Sequence, residues 1–255
     1  MPCRFVSAAT MMVVAVAGWT VPACAGTFDV KDPEITKGET EFATNHAFNS
    51  GFSAKADPVR HSFEFTAGYA FTDRFKAGAK LGFDTHIGDN PQLSIAGVEG
   101  QVFIGKLAPS VSLAWYTGLD VRVHHGETNT LVFGPLLKIG TDKLSLTLNP
   151  LLEHTFGANR DDGLGFTYAV GLKAAVREGM ALGLEAHGAI TDVANPPGGH
   201  VHEHRIGPVL YFDREIIPAN EGRSARKLSL EIGTFVGLTD ATPDWSGKLK
   251  AALTW

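Results

Sequence analysis

The densest group of side chains able to do chemistry is the run His200-Val201-His202-Glu203-His204, where three imidazoles recur at a spacing of two. On an extended chain that spacing brings His200, His202 and His204 to one face. Imidazole nitrogens grouped this way suit zinc or copper, which makes the run a candidate metal site. His124-His125 is a smaller concentration in another loop. The alternative reading is structural: histidine suits a polar boundary, and Pro196-Pro197-Gly198-Gly199 just upstream reads as a loop.

A second chemistry is ion and solute conduction. Inward-facing positions would carry Glu39, Glu41, Glu64, Lys76, Lys80, Asp84, Glu99, Asp120 and Arg122 in the first half of the chain. The second half adds Lys138, Glu153, Lys173, Glu185, His187, Arg205, Asp213, Glu231, Lys248 and Lys250. Charges of both signs on one wall can line a narrow aqueous path or lock into ion pairs that fill it. Lys76, Lys80, Asp120, Arg122 and Arg205 are the expected determinants of any selectivity.

A third chemistry, hydrolysis of lipid, needs a nucleophilic hydroxyl beside a histidine that a third group orients. His46 and His154 are the outward candidates, and neither has a serine at a strand-compatible spacing. His61 and Ser62 fall on opposite faces, and no Gly-x-Ser-x-Gly occurs. No catalytic residue and no cofactor is therefore assigned, and the chain is read as a non-enzyme.

These side chains need strands to position them. From His61 to Phe71 the odd positions are His, Phe, Phe, Ala, Tyr and Phe, while the even ones are Ser, Glu, Thr, Gly and Ala. Residues two apart share a face of a strand, so one side is apolar and the other small or polar. After the turn at Thr72-Asp73, Phe75, Ala77, Ala79, Leu81 and Phe83 oppose Lys76, Gly78, Lys80, Gly82 and Asp84. Two lysines on one face must meet water or countercharge, so each strand has a wet side.

The same period continues to the last residue. It predicts about twelve strands, at approximately 37–49, 60–71, 74–84, 93–104, 110–123, 130–140, 143–154, 165–176, 180–190, 203–213, 227–239 and 245–255. Most have the length of roughly 9–11 residues that a tilted strand needs to cross a bilayer. Short connections, such as Thr72-Asp73 and Arg177–Gly179, alternate with long ones rich in Gly, Asp, Asn and Pro, such as 85–92 and 191–202. Short turns on the periplasmic side and long loops outside are the habit of outer-membrane barrels. The connection 214–226 departs from it, being long on the periplasmic side. A soluble β-sandwich also alternates, but its strands are shorter and its outward faces polar.

The start of the chain adds an address. Arg4 precedes an apolar run from Met11 to Val21 that ends in Pro22-Ala23-Cys24-Ala25, the form of a signal peptide cleaved after Ala25. Pro22 fits poorly with a lipid-carrying Cys24. The domain reading is signal peptide 1–25, a short periplasmic segment 26–36 and a transmembrane barrel 37–255. Cleavage would remove both cysteines, so no disulfide supports the fold. The formal net charge of −5 is interspersed along the chain and does not suggest nucleic acid.

Three stretches resemble a known family: Thr36-Lys37-Gly38-Glu39, the run RHSFEFTAGYAFTDRFKAGAKLGF from Arg60 to Phe83, and HRIGPVLYF from His204 to Phe212. They are similar to proteobacterial outer-membrane barrels labelled as phenol-degradation meta-pathway or transporter-like proteins. The motifs are patterns of strand and turn, and the resemblance implies a barrel but no catalytic residue. The terminal Trp255 resembles the signal by which outer-membrane assembly machinery recognises its clients.

The expectation is thus an all-β, single up-and-down antiparallel transmembrane barrel, embedded in outer-membrane lipid and passing small solutes through a narrow channel. Two other functions stay open: a structural or loop-binding barrel, metal-binding or not, with a plugged lumen, and a lipid-acting barrel hydrolase.

Overall fold

The computed structural model describes residues 27–51, 59–86, 88–124, 127–158, 160, 163–194, 202–218 and 225–255. The expected signal peptide with its cleavage after Ala25 lies outside the described residues, as does His200.

Twelve strands follow one another: β1 (Thr40–Ser50), β2 (His61–Thr72), β3 (Phe75–Thr85), β4 (Gln92–Ala108), β5 (Val111–Arg122), β6 (Thr128–Gly140), β7 (Leu144–Gly157), β8 (Leu164–Arg177), β9 (Met180–Ile190), β10 (Glu203–Ile217), β11 (Arg226–Gly237) and β12 (Trp245–Thr254). Each pairs antiparallel with its sequence neighbours, and β1 pairs with β12 from Glu41↔Thr254 to Ser50↔Trp245, so the sheet closes on itself. Closure leaves no strand edge unpaired, the condition for crossing hydrocarbon with strands. Thr40 and Trp255 exchange N–H···O bonds of 3.0 and 2.8 Å at the seam, and the indole stacks on Phe42 at 5.6 Å.

The two-residue period sorts the side chains. Phe42, Phe65, Val98, Leu107, Leu182 and Ile232 are exposed on the outside, Leu107 at 65%. Such an apolar band is unfavourable against water and matched against lipid. Inside, two small packed clusters form. One joins Phe28, Ala47, Ala181, Val209, Tyr211 and Phe235. The other joins Ala114, Tyr116 and Leu136, with Phe103, Val132 and Leu151 against them.

Two strands run further than the alternation predicts. β4 reaches Ala108 because irregularities between Phe103 and Gly105 and between Lys106 and Ala108 absorb the extra residues. Gly105 takes a φ of 149° there, a conformation that side chains with a Cβ rarely adopt. β10 continues to Ile217 past an irregularity after Glu215, so the long connection predicted at 214–226 shortens to 218–225. Prolines cannot donate to a ladder. Pro135 and Pro150 sit at the same level of the β6–β7 seam, between the Phe133↔Leu152 and Leu137↔Leu148 pairs.

Of the segment expected at 26–36, residues 28–34 lie inside the barrel. Phe28 is 6% exposed and lies in the first inner cluster. The physical reason is pairing. Asp29, Lys31, Asp32 and Glu34 each meet a fixed opposite charge on the wall, which a solvated tail would leave unused.

Candidate functional site

The lumen is the candidate site, and strand parity aims the charged side chains into it. Its free space is a cavity of about 1550 Å³ whose walls reach from His86, His124 and Thr191 at the loop end to Glu39, Asp142 and Lys173 at the turn end. The described residues of the N-terminal segment run beside this space and narrow it.

At the loop end, Arg205 lies 2.6 Å from Glu203 and 3.2 Å from Ser246 Oγ, and its guanidinium caps the Phe28 ring at 4.6 Å. Across the lumen, Arg122 is 3.5 Å from Asp84, which also accepts from Ser62 Oγ at 2.8 Å.

In the middle, Lys248 on β12 reaches Glu185 on β9 at 2.8 Å and Glu231 on β11 at 2.6 Å. Tyr211 Oη donates to Glu185 at 2.7 Å, and His187 Nε2 is 2.8 Å from the same carboxylate. Lys250 holds Asp29 at 2.7 Å, and Lys80 holds Asp120 at 2.9 Å. Lys31 bonds Glu99 at 3.1 Å and lies 4.8 Å over the Tyr116 ring, while its backbone N–H and carbonyl are both bonded by the Asn149 amide.

Toward the turn end, Lys138 meets Asp32 at 2.7 Å and Glu34 at 3.3 Å, and Gln101 donates to the carbonyls of Asp32 and Pro33. Lys76 pairs with Glu41 at 2.5 Å, and Lys173 is 3.4 Å from Asp213 and 4.6 Å over the Tyr211 ring. Burial alone would raise the Asp29 carboxyl, but Lys250 and Lys31 outweigh it and hold it well below the ordinary carboxylate range. Glu34 faces the same contest, and Lys138 with the Ser112 hydroxyl brings it down.

Of the charged residues singled out from sequence, Glu64, Lys76, Lys80, Asp120, Arg122, Lys138, Glu153, Lys173, Glu185, Arg205 and Glu231 border the cavity. Lys248 stands behind it, 3% exposed. Sequence reasoning missed Phe28, Asp29, Lys31, Asp32 and Glu34. The available signal was the alternation of Phe28 and Val30 with Asp29 and Lys31, a strand-like pattern just ahead of the barrel.

The histidines fall elsewhere. His202 and His204 have ring centroids 6.3 Å apart, and His204 Nδ1 is 3.0 Å from Tyr168 Oη. Among the described residues no group of three or more His, Cys, Asp or Glu is placed to hold a metal. On the outer face His46 has a hydroxyl partner of a kind the serine search passed over: Thr44 Oγ1 lies 2.9 Å from Nε2, and His61 Nε2 lies 3.0 Å from Nδ1. These rings stack with Phe48 and Phe63 as part of an aromatic belt.

The sequence model of the outer membrane protein beta-barrel domain matches residues 6–212. No curated protein matches the chain. Among solved structures, an outer membrane channel from Pseudomonas putida F1 is similar over 89% of this chain and 99% of its own, at 10% identity and a TM-score of 0.59. The KdgM porin, solved in complex with disordered oligogalacturonate, is similar over 84% of this chain and 98% of its own, at 12% identity and a TM-score of 0.51. The NanC porin has the same coverage, 8% identity and a TM-score of 0.52. At these identities the likeness is one of fold.

Proposed function

We propose that this chain, which belongs to the outer membrane protein beta-barrel domain family and resides in the outer membrane, is a narrow channel for the passive passage of small solutes. The observation that carries the reading is the cavity of about 1550 Å³ whose walls reach both ends of the barrel and are lined by charges of both signs. Two barrels of similar fold are porins and a third is an outer membrane channel, which supports the same reading.

The N-terminal segment is the one observation that favours a plugged barrel instead. Planar-bilayer recording of the refolded protein, with and without residues 27–34, separates the two. A small unitary conductance that grows when the segment is removed is the expected result. Conductance only after removal would make the barrel a plugged one, and no conductance in either form would overturn the channel.

Three finer statements belong to the same proposal. The chain is related to the barrels labelled as phenol-degradation meta-pathway or transporter-like proteins. Its leader is removed after Ala25. Trp255 at the closing seam is the feature that assembly machinery reads.

A further inference from the structure

We infer that the lumen selects for cations, so that the solutes it passes are positively charged or neutral and not anionic. The inference rests on the channel reading above and concerns which solutes that channel takes.

Fifteen carboxylates border the cavity against eight lysine or arginine side chains. That excess is larger than the formal charge of −5 on the entire chain. Surplus negative charge is therefore concentrated inside the barrel, and the rest of the molecule is close to balance.

Pairing sharpens the count. Every lysine and arginine bordering the cavity has a carboxylate within 4 Å: Lys31, Lys76, Lys80, Arg122, Lys138, Lys173, Arg205 and Lys250. Lys248 behind them has two. A permeating anion thus meets no wall cation without its own countercharge. The paired set expected from sequence to govern selectivity, Lys76, Lys80, Asp120, Arg122 and Arg205, is close to neutral at short range.

Glu39, Glu64, Glu127 and Asp142 also border the cavity, and among the described residues none of them makes an ion pair or a side-chain hydrogen bond. They are spread along the pathway. Glu127 precedes β6 at the loop end, and Glu64 is near the loop end of β2. Glu39 precedes β1 and Asp142 lies in the β6–β7 turn, both at the opposite mouth. A surplus of carboxylates along a path with low-dielectric walls, in which Glu39 and Glu64 are answered only beyond 4 Å by Lys76 and Lys80, raises the local concentration of cations and the barrier to anions. The feature is a balance of charge over the pathway, not a pocket.

The test is the reversal potential of the refolded full-length protein in planar bilayers under a KCl gradient at pH 7.5. A potassium-over-chloride permeability ratio of about threefold or more is expected at ~0.1 M salt, falling toward unity near 1 M as screening shortens from about 10 to about 3 Å. Combining Glu39→Gln, Glu64→Gln, Glu127→Gln and Asp142→Asn should bring the low-salt ratio to within about twofold of unity. Liposomes should swell faster in arginine hydrochloride than in sodium glutamate. A channel that conducts but prefers chloride, or whose ratio is the same in the fourfold variant, overturns the selectivity and leaves the channel reading standing. A protein that passes no ion overturns both. If the fourfold variant does not fold, the salt series on the unaltered protein decides, and a cation preference that persists unchanged at 1 M overturns the assignment to fixed wall charge.

Discussion

Replacing Lys248 by methionine tests whether one side of the lumen is dry. The Nζ of Lys248 lies 2.8 and 2.9 Å from the two oxygens of Glu185 and 2.6 Å from Glu231. Lys248 and Glu185 are 3% and 0% exposed, so the pair is withdrawn from bulk water although Glu185 borders the cavity. Lys248→Met keeps much of the stem but leaves the Glu185 charge with only Tyr211 and His187 as partners, while Glu231 retains Lys250 at 3.9 Å. Removing one member of a buried pair costs about 3–5 kcal/mol. Adding Glu185→Gln removes the stranded charge and keeps an amide oxygen that accepts from Tyr211. The double variant should therefore be more stable than Lys248→Met alone by about 2 kcal/mol, because it no longer buries an unpaired charge. Urea unfolding of the refolded proteins in lipid vesicles gives all the corners of the cycle. A cost below about 1 kcal/mol for Lys248→Met is what a solvated pair gives. That result would refute the reasoning, because it would mean that water reaches Glu185 and that the packed wall is part of the aqueous path.

The docked segment should respond to acid. Released, Asp29 and Glu34 would titrate in the ordinary range, whereas docked they titrate lower. Docking is thus fully favoured above the ordinary range, near pH 4, and is lost as pH falls through the depressed docked values. Single-channel conductance should stay flat from about pH 7 to 5 and rise below about 4; a flat record throughout would show that these carboxylates do not hold the segment. Ile232→Arg, at the middle of β11 and facing lipid, should cost about 2–4 kcal/mol in vesicle unfolding, and a cost near zero would contradict a membrane-facing band. Trp255→Ala should lower the amount of barrel inserted in cells while leaving refolding into detergent unchanged; equal insertion would remove the assembly role. His200, His202 and His204 are proposed to bind zinc or copper. Calorimetric titration should therefore show tighter binding than the variant with all three replaced by alanine, and equal isotherms would end the idea.

Much of the barrel was legible because period two is both the geometry of a strand and the geometry of a wall with unlike sides. His61–Phe71 and Arg74–Asp84 state it plainly, and β2 and β3 pair across the turn between them, from His61↔Thr85 to Thr72↔Phe75. Bulges are harder to read, since the extra residue in β4 or β10 looks like loop when only alternation is counted. Contacts inside the lumen are harder still. That Glu185 and Lys248 point inward is a matter of parity, but that they meet across strands 63 residues apart in sequence depends on the stagger of the whole barrel. Asp29 and Lys250, 221 residues apart, depend in addition on a segment whose charges look like those of a solvated tail.

The size of the barrel explains why that segment is inside. Strands about 4.8 Å apart and tilted about 40° give a backbone radius of about 12 Å for twelve strands, against about 8 Å for eight. One inner face of side chains fills about 5 Å, half the distance between packed sheets. An eight-stranded barrel can therefore close its interior with its own longer side chains, whereas twelve strands leave a core of about 7 Å radius that wall residues cannot fill. Water or another piece of chain must take that space. Here Phe28 takes part of it, packing on Phe235 and His187 beside the Glu185–Lys248 pair, and makes the β9–β12 side compact. The cavity runs beside it, bordered by residues of both sides of the barrel, and more carboxylates than cations line it. The strand count leaves the space and the segment takes part of it, so the charges that hold the segment in place also set how wide the path can be.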